Sequence, residues 1–291
     1  MLLDPATLEL APGVERLLGP PGLKTELFSC LVETNTEVCE TAGQARAELI
    51  RLRAVVRDAA AREGLVVAAT GTHPFSRPER QAIVEEPRYL KMVAELGDEA
   101  VRRQLVCGLH VHVGMASFEE CLRVLDGIRP WLSEVLRLSW NSPYVEGEET
   151  GALSSRFARL RELPRGGPAP PLRTVADWEA AVAATGVDYT RIWWDARPHP
   201  RLGTLEVRVA DQPTSVERSA ALVALVQALC AAPPQPGTEV LAAVEPAARE
   251  LGTWELVDLL RGPSEALRQL DVGRRDGRRA VAADLVERTA A

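Results

Sequence analysis

The chain has no apolar run long enough to span a bilayer, and its opening "MLLDPATLEL" lacks both the basic region and the long apolar stretch of a signal peptide. The expectation is a cytoplasmic protein with no membrane partner. No two cysteines stand in CxxC spacing, and the five present, Cys30, Cys39, Cys107, Cys121 and Cys230, are scattered and odd in number. That excludes a disulfide framework and a cysteine zinc site, and leaves reduced thiols in or near the core. Phosphate-binding glycine loops of the GxxxxGK[ST] or GxGxxG type are absent, as is a serine or cysteine nucleophile in a recognisable elbow. No internal repeat is visible. An excess of positive charge is missing too. The net charge of -7 argues against a general nucleic-acid partner, although an acidic protein can still hold a basic pocket for phosphates.

What is present fits an ordinary globular chain of 291 residues, 46% hydrophobic and 26% charged. One domain over 1–291 is expected, with a core over 23–230 and a helical segment over 238–291. Residues 23–33, "LKTELFSCLVE", predict a strand with poor polar alternation. In "TAGQARAELIRLRAVVRDAAAREG", Ala45, Leu49, Leu52, Val56 and Ala59 recur at helical spacing and Gly64 supplies a stop. "LVVAAT" predicts a short buried strand ending in the loop "GTHPFS"; "RYLKMVAELGDEAVRRQL" predicts a helix and "VCGLHVHVGM" the next strand.

Ser117 and Glu120 form a capping-box signature ahead of Leu122, Leu125, Ile128, Leu132 and Leu136 on one helix face. From Asn141 to Arg173 runs a long connection rich in Gly, Pro, Glu and Arg, of the kind that is either functional or disordered. "TVADWEAAVAAT" predicts a short helix, "RIWWDARP" and "GTLEVRVADQP" two strands around "PHPRLG", and Thr214 with Glu217 a second capping box opening "VERSAALVALVQALCA". "APPQPG" reads as a linker and the remainder as helical. Helices alternating with strands exclude all-α and all-β classes.

His110 and His112 project to one face of their strand, while Leu109, Val111 and Val113 face the other. HxH alone leaves a metal pair and a hydrogen-bonded pair both open, because spacing shows no third ligand. In "GTLEVRV", Glu206 and Arg208 share a face opposite Leu205, Val207 and Val209, and taken alone they read as a salt bridge. Arg191, Trp193, Asp195 and Arg197 alternate along "RIWWDAR", so neighbouring strands would offer carboxylates and guanidiniums to one surface. Glu26 and Glu33 add acids on an early strand, with Glu37 and Glu40 following.

Several carboxylates on core-forming strands suggest a cation-binding face, since a buried carboxylate is costly unless paired or metal-bound. Oxygen ligands with few imidazoles favour Mg²⁺ or Mn²⁺ over zinc, and Mg²⁺ completes its octahedron with phosphate oxygens and water. Arginines around such a cluster bind phosphate or carboxylate by two-pronged hydrogen bonds. Arg156 in the long connection reads, taken alone, as a solvated loop arginine, and His73 in "GTHPF" carries an equally weak functional signal.

Four segments in this order, "ELFSCLVETNTEVCET", "GTHPFS", "CGLHVHVGM" and "RPHPRLGTLEVRVADQPTS", together resemble the carboxylate-amine ligase family related to glutamate-cysteine ligase type 2. The intervening "SPYVEGEETGALSSRFARLRELPRGGPAP" is similar in style, and the resemblance runs to Val226. It implies an α+β fold, a mainly antiparallel sheet flanked by helices of the glutamine-synthetase-like type. It also implies an enzyme that uses ATP and Mg²⁺, or Mn²⁺, to activate a carboxylate as an acyl phosphate. An amine then attacks, giving an amide, ADP and phosphate, with gamma-glutamylcysteine the archetypal product.

Carried over by motif, Glu26, Glu33, His112 and Glu206 become candidate metal ligands, and His110, His112 and Arg197 candidate nucleotide-site residues. Arg208 and Arg156 become the candidate catalytic contacts to phosphate or substrate carboxylate. Chemistry of this type rests on positioning and charge neutralisation and needs no covalent protein nucleophile. The implied partners are amino-acid-like carboxylate and amine substrates, with a homodimer allowed.

The family ordinarily carries a "GxExE" strand ahead of "LLDPATLEL"-like sequence and a longer "NRW"-containing segment where this sequence has "AAPPQPGTEV". Two alternatives therefore stand beside the active ligase. One is a catalytically impaired relative that binds a nucleotide or a partner; the other is a metal hydrolase using His110 and His112.

Overall fold

Helices form wherever apolar residues recur every three or four positions, and strands are confined to pairings two to four residues long. The computed structural model describes residues 1–235 and 237–291. The linker read at "APPQPG" contains Pro236, which lies outside the described residues.

From the N-terminal side come β1 (Leu2–Leu3), the single-turn α1 (Val14–Leu17), β2 (Leu23–Thr25), β3 (Val32–Thr34), the long α2 (Ala42–Arg62) and β4 (Val66–Val67), which pairs antiparallel with β1. Residues 23–33 do not make the single strand expected. Leu27, Phe28, Ser29, Cys30 and Leu31 are buried in succession, which a strand with one wet face cannot provide. The segment folds back instead, and β2 pairs antiparallel with β3, Lys24 opposite Glu33. α2 starts at Thr41, whose side chain accepts the Gln44 N–H, and of the five residues at helical spacing it buries Ala45, Leu52, Val56 and Ala59 and leaves Leu49 half-buried.

The helix expected over "RYLKMVAELGDEAVRRQL" is two, α3 (Pro87–Leu96) and α4 (Asp98–Arg102), because Gly97 between them takes φ 87°. β5 (Val111–Gly114) leads to α5 (Phe118–Ile128), capped by Ser117, and to α6 (Leu132–Ser139). One helix was expected across both. Pro130, which lacks an N–H, converts residues Arg129–Trp131 to a 3₁₀ turn and breaks it.

The long connection carries β6 (Tyr144–Val145), β7 (Glu148–Glu149), α7 (Ser155–Arg161) and β8 (Gly166–Gly167) before α8 (Val175–Thr185). "RIWWDARP" splits at Asp195: β9 (Trp193–Trp194) runs parallel to β8, while β10 (Ala196–His199) pairs antiparallel with β11 (Thr204–Val207), which in turn pairs antiparallel with β5. α9 (Val216–Ala231), α10 (Val240–Glu250), α11 (Trp254–Asp258), α12 (Glu265–Asp276) and α13 (Arg278–Ala290) complete the chain.

The capping box expected at Thr214 and Glu217 does not form. Glu217 is drawn away into a two-pronged pair with Arg46 of α2, and Glu265 of α12 accepts the N–H groups of Thr214 at 2.7 Å and Ser215 at 2.9 Å instead. A carboxylate from another helix thus sits at the positive end of α9.

The three-stranded sheet β10-β11-β5 turns Ala196, Leu205, Val207 and Val111 into one core with Leu122 of α5, Val135 of α6 and Leu222 of α9. Burying each larger apolar side chain there contributes roughly 1.5–3 kcal/mol. A second core joins Leu2, Leu3 and Phe28 to Val281 and Leu285 of α13. The architecture is α+β, helices around small sheets that are antiparallel apart from the β8-β9 pairing. Among the described residues, no helix is long and apolar enough to cross a membrane.

Candidate functional site

With its apolar face committed to the core, the sheet β10-β11-β5 leaves a polar face. Register sets Arg197 opposite Glu206 and Glu206 opposite His112, a row across all three strands. Alternate residues share a face, so His110, His199, Thr204 and Arg208 flank that row.

Glu206 is 3% exposed and meets four groups. Arg197 Nε donates to its Oε2 at 2.7 Å and Arg208 Nη1 donates to its Oε1, while His110 Nδ1 and His112 Nε2 lie 3.6 Å and 3.7 Å from Oε1. Burial by itself would raise this carboxyl's pKa. Arg208, His110, Arg197 and His112 together outweigh burial and hold it down at about 2. Glu206 is therefore ionised at neutral pH, with each oxygen committed to a guanidinium. Arg197 is buried as well, its Nη1 donating to the carbonyls of Tyr189 at 2.9 Å and Ile192 at 2.6 Å. These two residues form the floor of the face, and Arg208, His110 and His112 are its more exposed layer.

The histidines are held neutral. His110 is 37% exposed yet ringed by protein, and that crowding, with Arg208 beside it, keeps its imidazole well below the ordinary value. A guanidinium can only donate, so the 3.5 Å approach of Arg208 Nη1 to His110 Nδ1 requires that nitrogen to be unprotonated. Burial likewise lowers His112, against the pull of Glu206, and its Nδ1 is hydrogen-bonded to Thr204 Oγ1 at 2.9 Å. Both imidazoles thus approach the same oxygen of the Glu206 carboxylate.

The fold-back of residues 23–33 places Glu26 against Glu33. Burial raises Glu26 to about 7; the Leu27 N–H opposes this, and the charge of Glu33 and a hydrogen bond with it reinforce it. Glu26 therefore takes up a proton as pH falls through neutrality. Arg208 feels the charge of Glu26 through space. Glu26 and Glu33 would offer a cation two carboxylates, the number Mg²⁺ ordinarily takes from protein. Glu206, expected as a ligand, fits less well because its oxygens already serve two arginines. Among the described residues no cluster of three or more His, Cys, Asp or Glu side chains is arranged to hold a metal.

Arg156 is not a solvated loop residue: it is 2% exposed. Its Nη1 and Nη2 donate to the carbonyls of Val209 at 3.1 Å and Arg208 at 3.0 Å, its Nε has no partner, and burial lowers its pKa to about 10. Gly108 provides the room, since a Cβ there would collide with the guanidinium. Arg156 thus grips the backbone that carries Arg208 rather than standing in the polar row. Arg191 and Asp195 leave the row too, paired with Glu95 and with Arg161, because the strand breaks at Asp195.

His73 is buried. Its Nδ1 accepts the Ser76 N–H at 2.9 Å, its Nε2 donates to Leu8 O at 2.9 Å, and burial lowers its pKa to about 3.

Three residues were missed. Thr204 and His199 could have been found, each lying two positions from Glu206 or Arg197 on the same strand face. Asp211 could not. It is fully buried and accepts from Asn141 N, Ser142 Oγ and Ser154 Oγ at 2.9, 2.6 and 2.7 Å, pinning the long connection under the end of β11 through partners far away in sequence.

Residues 3–290 match the family described as Glutamate-cysteine ligase family 2 (GCS2). A "Putative glutamate--cysteine ligase 2" of Herpetosiphon aurantiacus is 38% identical over 239 residues, covering 78% of this chain and 62% of the relative. A protein of the same name from Chloroflexus aurantiacus is 38% identical, covering 78% and 61%. "Putative glutamate--cysteine ligase 2-1" of Rubrobacter xylanophilus is 37% identical over 241 residues, covering 79% and 64%. The chain spans about three fifths of the length of these relatives. On the near-complete family match and these identities, the chain belongs to glutamate-cysteine ligase family 2.

Proposed function

We propose that the polar sheet face catalyses ATP-dependent ligation of an amino-acid-like carboxylate, glutamate being the first candidate, to a small amine such as cysteine. The reaction would run through an acyl phosphate, in a single ligase domain of the glutamine-synthetase-like type. The observation that supports this most directly is the buried Glu206 holding Arg197 and Arg208 on one sheet face. One carboxylate against two guanidiniums leaves that row positive, as a polyphosphate requires.

In the first step a carboxylate oxygen of the acid forms a bond to the γ-phosphorus, the bond to the bridging oxygen breaks, and ADP leaves. In the second the amine attacks the acyl carbon, and phosphate departs with that same carboxylate oxygen. Arg208, aimed by Glu206 below it and by Arg156 behind it, pairs with the transferring phosphoryl oxygens. Glu26 and Glu33 would hold Mg²⁺, which would supply further neutralisation of the phosphate charge. His110 and His112, both neutral, can accept the proton that the attacking ammonium loses.

The test is ADP release with Mg²⁺, glutamate and a panel of amines. ADP formation is expected to need both substrates and to fall roughly 10²-fold or more in Arg208→Gln, as for loss of an oriented donor. Equal, background-level turnover in the wild type and Glu206→Ala would sink the proposal. One observation favours a second reading, a relative that binds nucleotide without turning it over: no third His, Cys, Asp or Glu joins Glu26 and Glu33 among the described residues. That reading predicts a rise in Tm with ATP and Mg²⁺ and no ADP.

A further inference from the structure

Away from the sheet face, a cavity of about 370 Å³ lies between α6, α9, α10 and the segment leading into α12. We propose that it binds a small organic anion with a carboxylate head and an apolar body. The site is independent of the ligase chemistry and shares no residue with the polar face.

Arg218 is the anchor. Its Nε and Nη2 donate to Leu138 O at 3.1 Å and 2.8 Å, and its Nη1 donates to Pro263 O at 3.2 Å. Both carbonyls belong to residues lining the cavity, so the guanidinium is fixed at its wall. Each terminal nitrogen carries two N–H groups, which leaves one on each without an acceptor, the pair of donors a carboxylate takes.

No lining acid answers that charge. Arg137 and Arg261, the other guanidiniums of the cavity, are paired with Glu134 at 2.8 Å and Asp258 at 2.7 Å, and Glu239 is turned to the N–H groups of Leu241 and Ala242. Glu265 acts on Arg218 only through space, its own oxygens being taken by Thr214, Ser215 and Arg288.

Ser264 also lines the cavity, but its hydroxyl oxygen is closed to solvent and so to a ligand, which leaves Arg218 as the polar contact. The rest of the wall is apolar, Trp140, Leu241, Leu260 and Leu267. Volume, one open guanidinium and an apolar wall together describe a pocket for one small amphipathic anion.

The probe is 4-(trifluoromethyl)benzoate, titrated into the full chain and followed by fluorine NMR at constant ionic strength. Saturable binding is expected. It should weaken about tenfold or more in Arg218→Gln, the loss of one charge-assisted hydrogen-bond pair, and persist in Glu206→Gln. The uncharged 4-(trifluoromethyl)benzamide should not compete. If Arg218→Gln melts early, Arg218→Lys, which keeps the charge and loses the two-pronged fork, carries the same test, with a smaller weakening expected. Equal affinity in these variants, loss of binding in Glu206→Gln, competition by the amide, or no saturable binding would each overturn the assignment. Turnover plays no part in the readout, so its outcome is separate from that of the ligase assay.

Discussion

The proton that Glu26 holds gives stability a pH dependence of the opposite sign to that of Glu206. Glu26 is raised from the ordinary 4.5 to about 7 on folding, so the folded chain binds a proton that the unfolded chain has released. Its contribution is complete below 4.5 and is lost as pH rises through 7. Denaturant unfolding without divalent cations should show a loss on the order of 2 kcal/mol between pH 5 and pH 8, and Glu26→Gln should remove most of it. An unchanged slope in the variant would contradict the protonation of Glu26. Glu206, lowered to about 2, stabilises above 4.5 and loses its contribution as pH falls toward 2.

Gly108 offers a second test at single-residue resolution. Its α-carbon faces the Arg156 guanidinium so closely that a methyl group cannot fit, whereas a Cβ at Gly114 meets nothing within 4 Å. Gly108→Ala should cost about 1–3 kcal/mol, the range for overpacking, and should lower ADP formation by displacing the carbonyls behind Arg208. Gly114→Ala should do neither, and parity between the two variants in melts and in turnover would remove Arg156 from its positioning role. The row Arg197, Glu206, His112 was legible because period-two alternation alone sorts side chains to faces. The burial of Arg156 was not, because its partners are two backbone carbonyls whose approach no spacing records.

Among the elements, the strands were legible as polar-faced or buried but not in their lengths. "LKTELFSCLVE" has too many consecutive apolar residues for a half-wet strand, and the fold resolves this by turning back and facing Glu26 to Glu33. Helix breaks at Gly97 and Pro130 follow from one residue's backbone freedom and another's missing N–H, and both were open to reading from sequence. The start of α9 was not, because its capping carboxylate arrives from α12.

That difference can be measured. Glu265 is buried and serves Thr214, Ser215 and Arg288 at once, so Glu265→Ala should destabilise by about 3 kcal/mol or more. Glu217→Ala removes only an exposed pair with Arg46 and should move the melt little, less still at high salt. A larger loss from Glu217→Ala would restore the local capping box as the start signal of α9.

For the whole molecule, the polar face is assembled from two distant stretches, β5 and the β10-β11 hairpin, while the 23–34 fold-back forms a two-stranded pairing of its own. The core that includes Leu2, Leu3, Val281 and Leu285 lies around that fold-back, through Phe28, Cys30 and Leu31, so the carboxylate pair depends on packing between sequence-distant ends. Composition and charge could bound the class of molecule, and ordered motifs could suggest its family. The charge of Glu26 felt at Arg208 depends on three-dimensional packing that neither reports.

The central claim is that a carboxylate is phosphorylated on this face before an amine replaces the phosphate. The most direct measurement supplies glutamate labelled with oxygen-18 in its γ-carboxylate, together with ATP, Mg²⁺ and cysteine, and follows the inorganic phosphate by phosphorus NMR. Transfer of one labelled oxygen into phosphate, matched to the ADP formed and lost in Arg208→Gln, is the predicted result. Unlabelled phosphate accompanying ADP, or label transfer undiminished in Arg208→Gln, would contradict it.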